Sequence, residues 1–252
     1  IFPCGEVIKL CVADGGEGTV DALYHNLRGN TIHLQVSDPL GRVIDASYFM
    51  TVDGRTAVIG MSAASGLPLL VPSEYNPMKT STYGTGEMIS DALSRGCRRI
   101  LVGIGGSATN DAGMGMLTAL GYRFYDSDGR LLEGSGSSLS FIAGVDVSHA
   151  HPALAESEFM VACDVDSPMY GPDGAAYVFA PQKGADEHMV RLLDKGLEHF
   201  SSIALKVTGN DISGLPGAGA AGGMGGGFVA FLNARLISGA DMILDAIGFD
   251  DV

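Results

Sequence analysis

Positive charge is what this chain has least of: Lys and Arg number 15 against 29 Asp and Glu, a formal net charge of −14. Nucleic-acid binding usually rests on a basic face that releases counterions from phosphates, so no nucleic-acid partner is expected. An anionic small substrate stays open, because a local cluster of donors holds it against the global sign. Only 17% of the residues are charged, yet 46% are hydrophobic, which excludes disorder. Over 252 residues that allows a sizeable core in one large domain or two lobes. Cysteine is sparse too: Cys4, Cys11, Cys97 and Cys163 show no C-x-x-C spacing, and most sit beside apolar residues. They read as reduced, mostly buried thiols of a cytoplasmic protein rather than a disulfide framework. No basic segment precedes an apolar stretch at the start, so no signal peptide is expected. One long uncharged run, residues 212–234, has the length to span a bilayer, but Pro216, Asn233 and eight glycines leave it too thinly apolar. No membrane partner is expected.

Several catalytic signatures are missing as well. Without any Gly-Lys pair there is no G-x-x-x-x-G-K-[ST] phosphate loop; a His-Arg-Asp triplet and a G-x-S-x-G elbow are also absent. What is abundant is glycine, 37 of 252 residues, about 15% where ~7% is usual. It clusters without a collagen period, so it is spent on particular loops. The chain opens at Ile1 without methionine and stops at Val252 without a terminating signal, and it reads as an internal piece of a longer protein.

Strand-like and helix-like patterns alternate, which argues for an α/β fold with a largely parallel sheet. Residues 7–13 read as a buried strand, followed by the loop of residues 14–19 and a helix ending near Gly29-Asn30. β-rich runs follow at residues 31–37, 43–52 and 56–61, the last two joined by the hairpin signal Asp53-Gly54. A helix is expected from Thr85 to Gly96, a strand at residues 100–104, then a glycine loop turning into a helix that ends at Gly121. Further strands are expected at residues 122–125 and 159–163, and helices at 187–205 and 228–236.

The central candidate for chemistry is Gly105-Gly106-Ser107-Ala108-Thr109-Asn110-Asp111, between a strand and a helix. Glycines let backbone N–H groups approach a phosphate, the helix N-terminus adds partial positive charge, and Ser107, Thr109 and Asn110 add side-chain donors. The plain alternative is that Asn110 or Asp111 caps the helix. A rival reading takes Gly103, Gly105 and Ala108 as a dinucleotide fingerprint, with Asp126 about 23 residues on, which would make an NAD-dependent oxidoreductase. Against it, Thr109-Asn110-Asp111 puts polar groups and a carboxylate where a diphosphate would pass, and a carboxylate near phosphates suits a bridging Mg2+. Asp126 also has a simple role in opening the Asp126-Ser127-Asp128-Gly129 turn.

A second candidate, Asp14-Gly15-Gly16-Glu17-Gly18-Thr19, follows a buried strand, where ligands of open α/β sheets collect. Its carboxylates suit a metal or a hydroxyl-bearing substrate; a capped turn with solvated acids is the plain alternative. Asp164 also follows a strand, and Pro181-Gln182-Lys183-Gly184 fixes one of only five lysines in a loop, where it either neutralises phosphate charge or is solvated. The glycine run 216–227 contains G-x-G-x-x-G but no strand precedes it, so close backbone packing, or a loop against a ligand, is expected there.

Taken in order, Ala13–Thr19, Thr80–Glu87, Gly103–Asp111, Cys163-Asp164-Val165, Pro181–Ala185 and Pro216–Gly225 closely resemble the bacterial glycerate kinases of the type 1 family across essentially the whole chain. The sequence departs from the family's usual residues at Gly60, Ala112 and Ala180. Family members also begin with a further strand and loop and continue past this chain's end, so the resemblance implies a fragment lacking both ends. It implies two α/β lobes, one with a mostly parallel doubly wound sheet, the other a mixed α/β domain inserted into it. Residues 1–29 and 236–252 would be the incomplete parts of the lobe built from the chain ends, and residues 30–235 the inserted lobe. The implied activity is phosphorylation of glycerate by ATP with Mg2+. On these readings Gly15, Gly16, Glu17, Gly105, Gly106, Ser107, Thr109 and Asn110 bind substrate or phosphate. Asp111 or Asp164 holds Mg2+, Asp14 orients or deprotonates the hydroxyl, and Lys183 offsets developing charge. A truncated chain that binds its ligands without turnover is a third reading.

Overall fold

The computed structural model describes residues 18–247. The expected strand at residues 7–13 and the site residues Asp14, Gly15, Gly16 and Glu17 lie outside that range. The strands are β1 (Gly29–Ser37), β2 (Val43–Thr51), β3 (Thr56–Gly60), β4 (Arg99–Gly103), β5 (Arg123–Tyr125), β6 (Gly144–Asp146), β7 (Glu158–Ala162) and β8 (Arg235–Ile237). The helices are α1 (Gly18–Asn26), α2 (Ser62–Ser65), α3 (Tyr83–Ser94), α4 (Met114–Ala119), α5 (Ala175–Phe179), α6 (Glu187–Thr208), α7 (Ala220–Leu232) and α8 (Gly239–Ile247). Among the described residues no helix is long and apolar enough to cross a membrane.

Six strands form one sheet in the order β1-β2-β3-β4-β7-β8, antiparallel across β1-β2-β3 and parallel from β3 to β8. The central strands are near-continuous apolar runs, as a sheet covered on both faces requires. Their side chains alternate between two cores. Ala57, Ile59, Ile100, Val102, Phe159 and Val161 enter the larger one; Val58, Leu101, Met160 and Ala162 enter the smaller one with Leu23 of α1 and Met242 and Ile243 of α8. The mostly parallel sheet therefore lies within residues 29–237. Of the two chain-end segments, α1 and α8 pack on its second face, and Leu236 and Ile237 belong to its edge strand.

Local signals explain most boundaries. The β2–β3 hairpin turns at Gly54, whose φ is +67°, with its N–H donating to the Thr51 carbonyl. α6 starts where the Asp186 side chain accepts from Met189 N at 2.8 Å and stops at Gly209, φ +80°. Two expectations need correction. The helix after the Gly105 loop begins only at Met114 and is six residues long. The helix expected at 228–236 instead belongs to α7, which spans Ala220–Leu232 with a left-handed kink at residues 221–223, ends at left-handed Asn233, and leaves Arg235–Ile237 as an edge strand.

Candidate functional site

Parallel strands β3, β4 and β7 all end on one edge, and the chain leaves them through irregular loops there. Past β4, the loop of residues 104–113 is held from its outer side by residues 65–67: Leu67 N donates to Gly106 O at 2.8 Å and Ala108 N to Ser65 O at 2.9 Å. Thr80 Oγ1 donates to Ala108 O at 2.8 Å. Gly106 takes φ +71°, which glycine adopts without strain. The amides of Gly105, Gly106 and Ser107 donate to no other described residue.

Those three residues line a cavity of about 410 Å³ together with Asp164 and Lys183. Lys183 is 1% exposed. Its Nζ donates to Ser107 Oγ and to Thr109 O, both at 2.7 Å, and among the described residues no carboxylate lies within ion-pair distance. Burial pushes its pKa down to about 7, while the Asp111 charge acts in the opposite direction. The lysine is placed by its loop: Pro181 opens a short 3-10 turn, and Gly184 closes it at φ +93°, where a Cβ would come within 2.4 Å of Tyr75 O. Asp164, at the end of β7, is exposed, and one of its oxygens accepts from Gly239 N at 3.2 Å.

The second half of the loop turns inward. Thr109, Asn110 and Asp111 are fully buried and do not line the cavity. Asp111 Oδ2 accepts from Thr82 N and Thr82 Oγ1 at 2.8 Å each and from Gly115 N at 3.1 Å, while Oδ1 accepts from Gly113 N at 3.2 Å. These bonds engage both oxygens of the carboxylate that was expected to hold Mg2+. Its oxygens are committed to the entry of α4 and to Thr82, so it organises the loop, as a capping residue does. Burial pushes its carboxyl above the usual range, and the hydrogen bonds from Thr82, Gly115 and Gly113 pull it back. The helix N-terminus drops out of the anion argument as well, since α4 is short and its first amides already face Asp111. Thr109 Oγ1 and both polar atoms of the Asn110 side chain are buried without a partner among the described residues. Orphaned polar atoms of this kind are uncommon, and each needs an explanation such as strain, a catalytic role, or a bound water or ion.

The glycine run packs against the back of this loop. Ala221, Gly222 and Gly223 take φ of +52°, +71° and +87°, and a Cβ on Gly222 would sit 2.1 Å from Thr109 O. Ala112 N donates to Gly222 O at 3.1 Å, and Ala221 reaches the cavity wall. The run thus both packs closely and borders the cavity. The dinucleotide reading is not favoured, because no helix opens at Gly105–Ala108. Asp126 is spent on its own turn, where Oδ1 accepts from Asp128 N and Arg130 N.

No cluster of three or more His, Cys, Asp or Glu side chains suited to a metal occurs among the described residues. Among the described residues that line the first cavity, Asp164 carries the one carboxylate; Mg2+ commonly takes one or two carboxylates and completes its shell with substrate phosphates and water. Residues that the sequence reading did not assign to the site also border this edge: Asp21, Ser47, Gly60 and Ser62 line a neighbouring cavity. The signal for Gly60 was its place at the end of a parallel strand, like Gly103.

The family model described as "Glycerate kinase family" matches residues 1–252. A Bacillus subtilis (strain 168) protein named "Glycerate kinase" is 46% identical over 252 residues, covering 100% of this chain and 66% of its own length. An Escherichia coli (strain K12) "Glycerate 2-kinase" is 43% identical over 251 residues, with 100% of this chain and 66% of the relative covered. A crystal structure provisionally named glycerate kinase 2, from Salmonella typhimurium LT2, superposes with a TM-score of 0.94 at 42% identity, covering 99% of this chain and 67% of that one. The chain therefore spans about two thirds of the length of the curated relatives it matches.

Proposed function

Because the chain belongs to the glycerate kinase family, we propose that it forms the anion-binding part of an enzyme that phosphorylates glycerate with ATP and Mg2+. The observation that carries this reading is Lys183, a buried ammonium held by Ser107 Oγ and Thr109 O without a carboxylate partner among the described residues. Beside it stand the Gly105, Gly106 and Ser107 amides, which no other described residue uses. Fixed donors of this kind in a shaped cavity favour a ligand that brings negative charge.

Phosphoryl transfer asks little covalent chemistry of the protein. A bond forms between the acceptor hydroxyl oxygen and the γ-phosphorus, the bond to the ADP oxygen breaks, and the hydroxyl proton passes to a base. Even a ~10⁶-fold acceleration needs about 8 kcal/mol. One preorganised donor supplies roughly 3–4 kcal/mol, so Lys183 and the loop amides must act together. Lys183 and Ser107 hold and orient the anion, and Asp164 is the side chain that would hold Mg2+, which when bound neutralises phosphate charge. Asp14, outside the described residues, keeps the role of orienting or deprotonating the hydroxyl in this reading. Gly15, Gly16 and Glu17 keep theirs as substrate contacts. The name of the Escherichia coli relative, "Glycerate 2-kinase", supports transfer to the 2-hydroxyl, and a metabolic kinase of this kind would work in the cytoplasm.

The test is ADP formation from ATP and glycerate, with the product identified by phosphorus NMR. It is run on this chain and on the chain extended to the relatives' length. Lys183→Met should abolish turnover in whichever form is active. Full turnover in that variant, or NADH binding without ATP binding, would overturn the proposal.

A further inference from the structure

A second cavity, of about 390 Å³, lies along the same sheet edge, and Pro68 and Gly105 line both cavities. Asp21 and Tyr24 of α1 face it, with Ser47 of β2 and Ser62 of α2. β3 ends on it at Gly60. A Cβ on Gly60 would meet nothing nearer than Val20 at 3.5 Å, an ordinary contact, so the packing does not demand a glycine there. The missing side chain simply leaves the cavity open. At Gly103, by contrast, a Cβ would come within 2.8 Å of Val20.

The two cavities have opposite chemistry. The first offers a buried ammonium and free amides. The second is lined by no Lys, Arg or His among the described residues, and its charged group is the Asp21 carboxylate. Ser47, Ser62 and Tyr24 line the same cavity and bring it hydroxyl groups. The Tyr24 ring stacks on Phe49 at a centroid distance of 5.1 Å, which fixes one aromatic wall. A carboxylate beside hydroxyls repels a phosphate or a second carboxylate, whereas it accepts hydrogen bonds from a vicinal diol, as in ribose recognition. Apolar and aromatic walls with few polar groups suit a flat heterocycle.

We propose that this second cavity takes the nucleoside end of the phosphoryl donor, its ribose diol toward Asp21. The phosphate chain then crosses Gly105 into the first cavity, toward Lys183. The assignment rests on the kinase reading given above, and it divides the phosphoryl donor between the two cavities.

Two half-ligands test it by calorimetric titration of the chain: adenosine, which carries no phosphate, and inorganic pyrophosphate, which carries no nucleoside. Gly60→Leu fills the cavity, and Asp21→Ala removes the diol acceptor from an exposed position, where the fold tolerates change. Each should weaken adenosine by about tenfold or more while leaving pyrophosphate within about twofold. Lys183→Met should do the reverse. If the parent chain binds pyrophosphate but no adenosine, or if adenosine binding survives both variants unchanged, the nucleoside assignment is wrong and the kinase reading stands. If Gly60→Leu instead abolishes glycerate binding, the acceptor occupies this cavity and the assignment is inverted. Failure of the parent chain to bind pyrophosphate would remove the kinase reading and this assignment with it.

Discussion

Lys183 makes the stability of this fold depend on pH in a direction opposite to that of an ion-paired lysine. Its pKa is pushed down to about 7 by burial in the folded state, against about 10.4 for a lysine in an unfolded chain. Between those values the unfolded chain binds a proton that the folded chain does not. Unfolding free energy then rises with pH, by at most about 1.4 kcal/mol per pH unit. Below pH 7 both states carry the proton and the penalty for burying the charge is present in full. Integrating over the two titrations gives a rise of about 2 kcal/mol from pH 7 to pH 9, most of it above pH 7.5. Other groups titrate too, so the quantity to measure is a difference. Urea unfolding of the parent chain and of Lys183→Met at pH 6, 7, 8 and 9 should show the parent gaining on the variant across the last two units. An anion on the Gly105–Ser107 loop favours the ammonium, so saturating pyrophosphate should flatten that gain. If the two stability curves run parallel to within about half a kcal/mol across this range, Lys183 stays charged in the fold. An unlocated carboxylate or ordered solvent must then neutralise it.

The other expectations follow from single side chains. Asp111→Asn replaces an acceptor that takes hydrogen bonds from Thr82, Gly113 and Gly115. It should cost about 3 kcal/mol or more, a drop of roughly 6–12 °C in melting temperature; an unchanged melt with activity lost would return Asp111 to the reaction itself. Asp164→Asn should melt with the parent, because Asp164 is exposed and accepts only from Gly239 N. It should raise the Mg2+ concentration needed for half-maximal turnover by about tenfold, and an unaltered Mg2+ dependence would remove it from the metal. Gly222→Ala combines a φ of +71° with a Cβ 2.1 Å from the Thr109 carbonyl that holds Lys183. It should destabilise by about 3 kcal/mol or more, and a melt equal to the parent's would show that the kink relaxes freely.

Much of the architecture was legible because the sheet is buried on both faces. Residues 57–59, 100–102 and 159–161 are apolar without interruption, and the Asp53-Gly54 hairpin carries its own turn chemistry. The failures have a common cause. Glycine weakens any isolated helix, so residues 220–227 read as loop; in the fold residues 221–223 do form a left-handed kink, and the residues after it are helical because backbone must approach backbone. A Cβ on Gly225 would lie 2.4 Å from Gly217 O, and one on Gly227 would lie 2.2 Å from Ala112 O. β8 was read as helix because Leu236 continues an apolar pattern, although Asn233, a residue that readily adopts the left-handed conformation, marks the stop. α4 was read too long because polar residues before it look like a helix entry, whereas they are buried side chains that hold a ten-residue loop.

At the site, sequence order identified the loops but not the direction each side chain takes. Asp111 and Lys183 show why. Both are fully buried and both come from glycine-bordered loops, so their residue types give them equal standing as catalytic groups. Four protein hydrogen bonds satisfy the carboxylate, and the ammonium has only a hydroxyl and a carbonyl for company. That asymmetry answers the objection raised by a net charge of −14. Charges more than about 8 Å away are largely screened at physiological salt. One ammonium about 4 Å from an anion is worth roughly 4 kcal/mol at an effective dielectric constant near 20. A chain with an acidic surface can therefore hold an anionic substrate, provided that its fold keeps one cation out of an ion pair. Among the described residues, the hydrogen bonds that occupy Asp111 and the turn that fixes Lys183 do that.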